Sequence, residues 1–410
     1  MKFLVVEDSK VFAAMFRQLL EQGGHEIEVE LDSQRTLERI DEVQPDAVLL
    51  DLMMPHVDGM AVLRRIREHC GPDLKVIIVS AKPYENDRRS ALALGAAGYI
   101  NKVAEQDRLL QRIEEIMADR PLLTFWGVRG TLPVPGQQAL RYGGNTSCLT
   151  LEFADGRLFI FDAGTGIKAL SDRLLAAGRT EIKARIFISH PHWDHINALP
   201  FFAPLYIKGN EFEILGVGQQ DKSIEDLISG QMDGVYFPVT VSEFGARVSY
   251  RELNEGSFEV DGVSIRTMLL NHPGNCLGYR IEYRDVIFCY VTDNELYPES
   301  SAFYNADYRR QLIDFVKDAD YLVTDTTYTA EQYAAGKEHW GHSSIDEVVA
   351  IADQANVRTL CLFHHDPDQS DADIDAKLAT AKRLLLERGS ATVVIAPAEN
   401  SSISLEPVAT

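Results

Sequence analysis

The sequence predicts an α/β protein in two parts: a five-stranded parallel sheet with helices on both faces, then an αββα arrangement of two sheets with outer helices. Three observations predict it. Over residues 1–118, short apolar runs alternate with stretches that carry apolar residues at helical spacing, the pattern of a covered parallel sheet. Asp119-Arg120-Pro121 then interrupts that pattern. Beyond it, strand-like runs come in pairs, with helical stretches between the groups. A chain of 410 residues suits two or three domains, and the boundary is expected at 119/120.

In the first part, Phe3–Val6, Ala47–Leu50, Val76–Val79 and Gly98–Ile100 read as buried strands, with Asp51 closing the third of five. Val11–Leu20, Met60–Arg67, Arg88–Leu94 and Leu109–Met117 read as amphipathic helices. In the second part, strands are expected at Cys148–Phe153, Leu158–Phe161, Arg185–Ser189, Phe212–Leu215, Val263–Leu270, Leu277–Tyr283, Val286–Thr292 and Tyr321–Asp325. Thr359–Phe363 is a further strand-like run. Helices are expected near Ile167–Ala176, Ser223–Met232, Tyr308–Val316, Ile345–Gln354 and Ile374–Arg388. The stretch Phe201–Val241 reads as a long insertion forming a lid or partner surface.

Hydrophobic content of 45% and charged content of 25% are ordinary for a globular protein. The net charge of −22 disfavours a broad nucleic-acid surface, which needs clustered Lys and Arg, and no DNA-binding domain is expected. It does not exclude a small phosphate-bearing substrate, because bound metals reverse the local field. The five cysteines are scattered with no C-x-x-C, which argues against a disulfide framework and for a reducing cytoplasm. The first apolar run stops at Glu7-Asp8, too soon for a signal peptide, and no run is long enough to span a membrane.

Two constellations carry chemistry. In the first part, Glu7, Asp8 and Asp51 close strands whose carboxyl ends share one crevice. Three converging acids suit a hard cation such as Mg²⁺. Ser80 and Lys102 bring a hydroxyl and an ammonium to the same crevice, a set suited to a phosphoryl group on a carboxylate. This segment, about residues 1–119, resembles a response-regulator receiver domain. The resemblance rests on Val5-Val6-Glu7-Asp8, Asp51-x-Met53-Met54-Pro55-x-x-Asp58-Gly59, Ser80-Ala81 and Gly95-Ala96-Ala97-Gly98-Tyr99-Ile100-Asn101-Lys102. It implies a flavodoxin-like fold, Asp51 as phosphoacceptor, and Mg²⁺ held by Glu7, Asp8 and Asp51. It further implies Ser80 and Tyr99 as a switch pair, Lys102 as the phosphate contact, and a cognate sensor histidine kinase as partner. Val103 stands where that family usually has proline.

In the second part, Ser189-His190-Pro191-His192-Trp193-Asp194-His195 packs three imidazoles and a carboxylate behind the apolar run Ile186-Phe187-Ile188. Such donors suit zinc and its first-row neighbours. His272, Asp293 and the pair His364-His365 each follow an apolar strand-like run and are further candidates. The pattern resembles the metallo-β-lactamase superfamily, over roughly residues 122–405. That resemblance implies one metal on His190, His192 and His272, a second on Asp194, His195 and His364, and Asp293 bridging. Two divalent transition metals are expected, zinc first, then manganese or iron.

Trp340-Gly341-His342-Ser343-Ser344 and Tyr142-Gly143-Gly144-Asn145-Thr146-Ser147 resemble the branch that holds the tRNA 3′-end-processing ribonuclease and related phosphodiesterases. It implies that His342 protonates the leaving oxygen, with Asp194 and His342 as catalytic residues. His342 also reads as a helix-entry residue before an N-cap at Ser343. Arg129 reads either as a phosphate contact or as an ordinary strand-end arginine, Asn271 and Asn275 as turn formers, and Trp193 as a packing wall beside the metals.

The expected function is a two-component response regulator whose output hydrolyses a cyclic nucleotide or other small phosphodiester under control of Asp51. Phosphorylation would alter the face of the fourth and fifth helices, which is then available to a second copy, as a homodimer, or to the hydrolase. A glyoxalase-II-like thioesterase or lactonase is the alternative hydrolase and needs no His342. A diiron redox or gas-sensing module is the alternative of another class; that branch typically has Glu where this chain has His192.

Overall fold

The computed structural model describes residues 1–54, 58–71, 74–81, 85–118, 120–177 and 181–406. Pro55 of the first motif and Asp119 of the expected break lie outside them. Two compact units emerge, one built mainly from Met1–Pro121 and the other from Leu122–Leu151, Leu158–Leu175 and the chain from Glu181 onward.

In the N-terminal unit, β1 (Lys2–Val6), β2 (Glu26–Glu30), β3 (Ala47–Asp51), β4 (Lys75–Ser80) and β5 (Gly98–Asn101) form one sheet in the order β2-β1-β3-β4-β5. Every pair is parallel. β1, β3 and β4 are apolar along almost their whole length because helices cover both faces. Leu4, Val48 and Ile78 pack on one side with Leu63 and Ile66, and Phe3, Leu49 and Ile77 on the other with Phe16 and Ile113. The sequence reading placed neither β2 nor the helix Thr36–Val43. β2 is an edge strand, and its alternating glutamates leave Ile27 as its one buried apolar residue in Glu26-Ile27-Glu28-Val29-Glu30.

The second unit holds, among the described residues, two seven-stranded sheets. The first takes β6 (Leu122–Gly127), β7 (Cys148–Glu152), β8 (Leu158–Phe161), β9 (Lys183–Ile188), β10 (Glu211–Gly216) and β11 (Arg247–Glu252). The second takes β12 (Gly256–Val260), β13 (Val263–Leu269), β14 (Leu277–Tyr283), β15 (Val286–Val291), β16 (Tyr321–Asp325), β17 (Thr359–Phe363) and β18 (Val393–Ile395), in sequence order. β19 (Ser402–Ser404) returns to pair antiparallel with β6 at the edge of the first sheet.

Period-2 alternation divides each strand between two layers. In the first sheet, Ile160, Ile186 and Ile214 face outward onto Leu170, Leu174 and Ile228 of the covering helices. The alternate residues Phe159, Phe161 and Phe187 meet Tyr279, Phe288 and Tyr290 of the second sheet in an aromatic layer with ring centroids 5.2–5.9 Å apart. On the far side, Leu322, Leu360 and Leu362 pack beneath Phe315, Val348, Ile351 and Leu385.

Two expectations need correction. Phe201–Val241 is not an insertion as a whole: β10 lies inside it and pairs parallel with both β9 and β11. A strand with partners on both sides is part of the sheet, not a lid over it. The helix Ile345–Gln354 has Ser344, not Ser343, at its N-cap position, and Ser344 makes no side-chain capping hydrogen bond. The Ser343 hydroxyl is spent elsewhere, donating to Asn294 O and accepting from Leu296 N. Among the described residues, no helix is long and apolar enough to cross a membrane.

Candidate metal centre

The candidate ligands stand where strands run out. His190–His195 follow β9, His272 follows β13, Asp293 follows β15, and His364 follows β17. β15, β16 and β17 are parallel, and β13 points the same way through two antiparallel pairings, so their carboxyl ends converge at one edge.

Two donor groups result. One atom from each of His190, His192, His272 and Asp293 lies within 4.8 Å of the others, and likewise for Asp194, His195, Asp293 and His364. Asp293 belongs to both and splits its oxygens between them. Oδ1 is 3.2 Å from His195 Nε2 and 3.0 Å from His364 Nε2, whereas Oδ2 is 3.5 Å from His190 Nε2 and 3.7 Å from His272 Nε2. His190 Nε2 and His195 Nε2 are buried with no hydrogen-bond partner. A buried imidazole nitrogen is normally satisfied, so orphaned ones aimed at a shared carboxylate fit a cation.

The far nitrogen of four of the five candidate rings is held. His195 Nδ1 meets Asp162 Oδ2 at 2.8 Å, His272 Nδ1 meets Gly341 O at 2.9 Å, and His364 Nδ1 meets Thr327 Oγ1 at 3.2 Å. His190 Nδ1 lies 3.1 Å from Ser189 Oγ. Such partners fix the tautomer and ring angle of a ligating histidine. Asp162 also accepts from Ser189 N, Ser189 Oγ and Tyr290 Oη. Gly130 is required here: a Cβ on it would fall 2.1 Å from His364 Cε1.

The electrostatics agree with this division. Burial, then the neighbouring His195, push His190 well below the usual histidine range, towards the neutral ligand form. Burial opposes ionisation of Asp293, but His364, His195 and His190 hold it well below the carboxylate range. His342 sits beside this centre, its Nδ1 2.9 Å from Asp325 Oδ2 and 4.0 Å from Asp293 Oδ2. Burial disfavours its charge, yet Asp325 more than offsets this and raises it to about 9. Donor atoms of Asp325, His342 and His364 also converge, with Thr327 Oγ1 donating to Asp325 Oδ1 at 2.6 Å.

In the N-terminal unit, Glu7, Asp8 and Asp51 form a separate, all-carboxylate group of donors. Lys102 Nζ bridges it, 2.7 Å from Glu7 Oε2 and 2.9 Å from Asp51 Oδ2. Burial raises Glu7, and the Lys102 hydrogen bond pulls against that. Ser80 and Tyr99 are buried on the adjacent strands β4 and β5. Val103, the departure from proline, uses its N–H: it donates to Asn101 Oδ1, which also accepts from Ala104 N. Asn101 therefore turns the chain where proline would otherwise do so.

Sequence patterns agree with the geometry. The beta-lactamase superfamily domain matches residues 157–365. The chain belongs to the beta-lactamase superfamily. Ahead of that domain, the response regulator receiver domain matches residues 3–114. The chain is 41% identical over 113 residues to the transcriptional regulatory protein DltR of Streptococcus agalactiae, covering 28% of this chain and 50% of DltR. It is 31% identical over 161 residues to the response regulator MprA of Mycobacterium sp. strain KMS, covering 37% of this chain and 69% of MprA. It thus spans about half the length of the first of these relatives. In structure it is similar to the metallo-beta-lactamase fold protein YhfI of Bacillus subtilis, at a TM-score of 0.51 and 18% identity, over 70% of this chain and 99% of YhfI. That likeness speaks for the fold alone.

Within the superfamily domain, several residues behave otherwise than expected. Trp193 is no packing wall: it is 82% exposed. Its four-residue helix Trp193–Ile196 turns Asp194, His195 and Ile196 inward and leaves the indole outside. Arg129 does not offer its guanidinium to a substrate. It is fully buried and donates to the carbonyls of Gly143, Asp366 and Gln369. Asn271 and Asn275 do not simply form turns: their amides tie the loop to distant segments, donating to Glu295 O and Gly218 O. His365 turns away from both donor groups, towards the Tyr142 ring. The sequence reading missed Asp162, Asp325, Thr327 and Glu295. A usable signal existed for the first two, since Asp162 follows and Asp325 ends an apolar strand, as Asp293 does.

Proposed function

We propose that the chain is a phosphorylation-controlled metallohydrolase whose substrate is a small phosphodiester. Residues 1–119 are the receiver and 120–410 the hydrolase. His190, His192 and His272 would hold one metal, Asp194, His195 and His364 the other, and Asp293 both. The imidazole-carboxylate donor set suits zinc, then manganese or iron. When bound, a metal pair supplies Lewis-acid chemistry, lowering the pKa of water and offsetting charge at the phosphoryl group.

The observation that carries the phosphodiester reading is His342 on Asp325. An alkoxide leaves poorly unless it is protonated. With Nδ1 engaged by Asp325, which favours the protonated ring, His342 can give a proton from Nε2 to the leaving oxygen. Asp194, whose Oδ2 takes the Thr131 N–H, would accept a hydrogen bond from the attacking water and orient it. A thioester expels a thiolate, a better leaving group than an alkoxide, and has less need of His342.

Control would enter at Asp51, phosphorylated by a sensor histidine kinase with Mg²⁺ on Glu7, Asp8 and Asp51. Lys102 would neutralise the phosphoryl oxygens, and Ser80 and Tyr99 would read them. The test joins metal analysis to a screen of bis(p-nitrophenyl) phosphate, cyclic nucleotides and thioesters. Phosphodiester turnover is expected with two metals bound. Preferred thioester turnover would replace this reading with the thioesterase, and iron without hydrolysis would replace it with the redox module. His342→Ala should keep both metals and slow turnover mainly on poor leaving groups; equal rates would remove His342 from the chemistry.

A further inference from the structure

The chain has three tryptophans. Trp126 is buried, with its Nε1 donating to Thr150 Oγ1 at 2.9 Å. Trp193 and Trp340 are 82% and 56% exposed. Both arise from backbone that carries or orients the same pair of imidazoles. Trp193 follows His192 directly. Trp340 precedes Gly341, whose carbonyl meets His272 Nδ1 at 2.9 Å, and His272 Nε2 is 3.0 Å from His192 Nδ1.

The display of Trp340 is built into the loop. His339 and Gly341 on either side of it have φ of 72° and 82°, the left-handed region. For His339 that conformation is strained and persists only where the surroundings enforce it. Glu295 enforces it: its buried carboxylate accepts from His339 N at 2.7 Å, Gly341 N at 2.8 Å and Tyr333 Oη at 2.6 Å. The His339 ring lies edge-on to the exposed Phe303 ring at 4.3 Å, and the Trp340 indole between the two pinned amides is 56% exposed. Lys337 Nζ stands 3.7 Å from the centre of the Trp340 ring. Large aromatic surface held in water beside a reaction centre marks a contact made with something else.

We propose that Trp193 and Trp340 form a base-stacking platform at the mouth of the metal centre, and that the phosphodiester substrate is therefore a nucleotide. This rests on the phosphodiesterase reading. Every nucleobase has a π face, and base–aromatic stacking needs no hydrogen-bond code. Lys337 covers one face of Trp340 and sets a cation beside the phosphate, so the base takes the other face. In a chain of net charge −22, that cation also favours an anionic ligand locally.

The test uses the intrinsic fluorescence of the full chain, because Trp126 is shielded and the two exposed indoles report. Adenosine 5′-monophosphate should quench saturably, and ribose 5-phosphate should not. Trp193→Ala and Trp340→Ala should each weaken binding by about tenfold, the scale of one lost stack, with metal content unchanged. No quenching, equal quenching by ribose 5-phosphate, or unaltered affinity in both variants overturns the platform. Turnover of methyl p-nitrophenyl phosphate, which has no base, tests the underlying reading separately. No turnover with metals loaded overturns the phosphodiesterase and its nucleotide substrate together; turnover without quenching overturns the platform alone.

Discussion

Asp162→Asn should cost the protein metal without touching a metal ligand. Asp162 Oδ2 accepts three hydrogen bonds, from Ser189 Oγ at 2.8 Å, His195 Nδ1 at 2.8 Å and Tyr290 Oη at 2.7 Å, and Oδ1 accepts Ser189 N at 2.7 Å. Asparagine supplies only one acceptor oxygen. If it faces Ser189 N, its amide faces His195 Nδ1, which must then surrender its proton. The proton moves to Nε2, the atom aimed at Asp194 and Asp293, and a protonated nitrogen cannot bind metal. If the amide flips, it meets the Ser189 N–H, donor against donor. The hydroxyls of Ser189 and Tyr290 can rotate to accept, so the net loss is about one charge-assisted hydrogen bond plus one buried donor left unmet, together about 3 kcal/mol. Affinity at the His195 side should fall by about 10–100-fold, the usual effect of removing such a partner. Zinc titration against a competing chelator, read with metal content by mass spectrometry, checks this. The folded variant should retain one metal where wild type retains two. Two metals at wild-type affinity would refute the argument that Asp162 sets the His195 tautomer.

Other perturbations separate the parts of the molecule. Gly130→Ala puts a methyl against the His364 ring, so the same titration should show loss at the site holding Asp194, His195 and His364, with folding otherwise intact by circular dichroism. Arg129→Met removes a buried guanidinium from the carbonyls of Gly143, Asp366 and Gln369. Its melting temperature should fall by several degrees, about 1–3 kcal/mol for each carbonyl left unmet, while metal stoichiometry stays at the wild-type value. Asp51→Ala should make hydrolysis indifferent to a small phosphodonor that changes the wild-type rate; wild type and variant responding alike would end the proposed control.

The architecture was legible wherever chemistry and strand ends coincide. Apolar runs ending in Asp51, Ser80, His190, Asp293 or His364 announce both a strand and what stands at its mouth, because a parallel sheet delivers its carboxyl ends to one edge. Edge strands were less legible. β2 buries mainly Ile27, and β18 and β19 are three residues each, too short for any alternation to register. The residues behind the ligands were hidden for another reason. Asp162 and Asp325 share the strand-end position of the candidate ligands, but their supporting role, like that of the loop residue Glu295, lies in the donors that folding brings to them: Tyr290 Oη to Asp162, His342 to Asp325, His339 and Gly341 to Glu295.

Trp193 shows the limit most clearly. Four residues of Ser189–His195 are candidate metal donors that converge with partners from other strands, and hydrophobicity alone would send an indole inward too. A single helical turn cannot face every side chain inward. Asp194 and His195 take the inner side, and the residue between His192 and Asp194 is forced into water whatever its polarity. A small polar side chain there would satisfy the geometry at no cost, so the presence of tryptophan is information the packing does not explain. That residue choice, together with the strained presentation of Trp340 across the His192–His272 pair, ties the motif's exposed indole to what the centre receives rather than to how it is held.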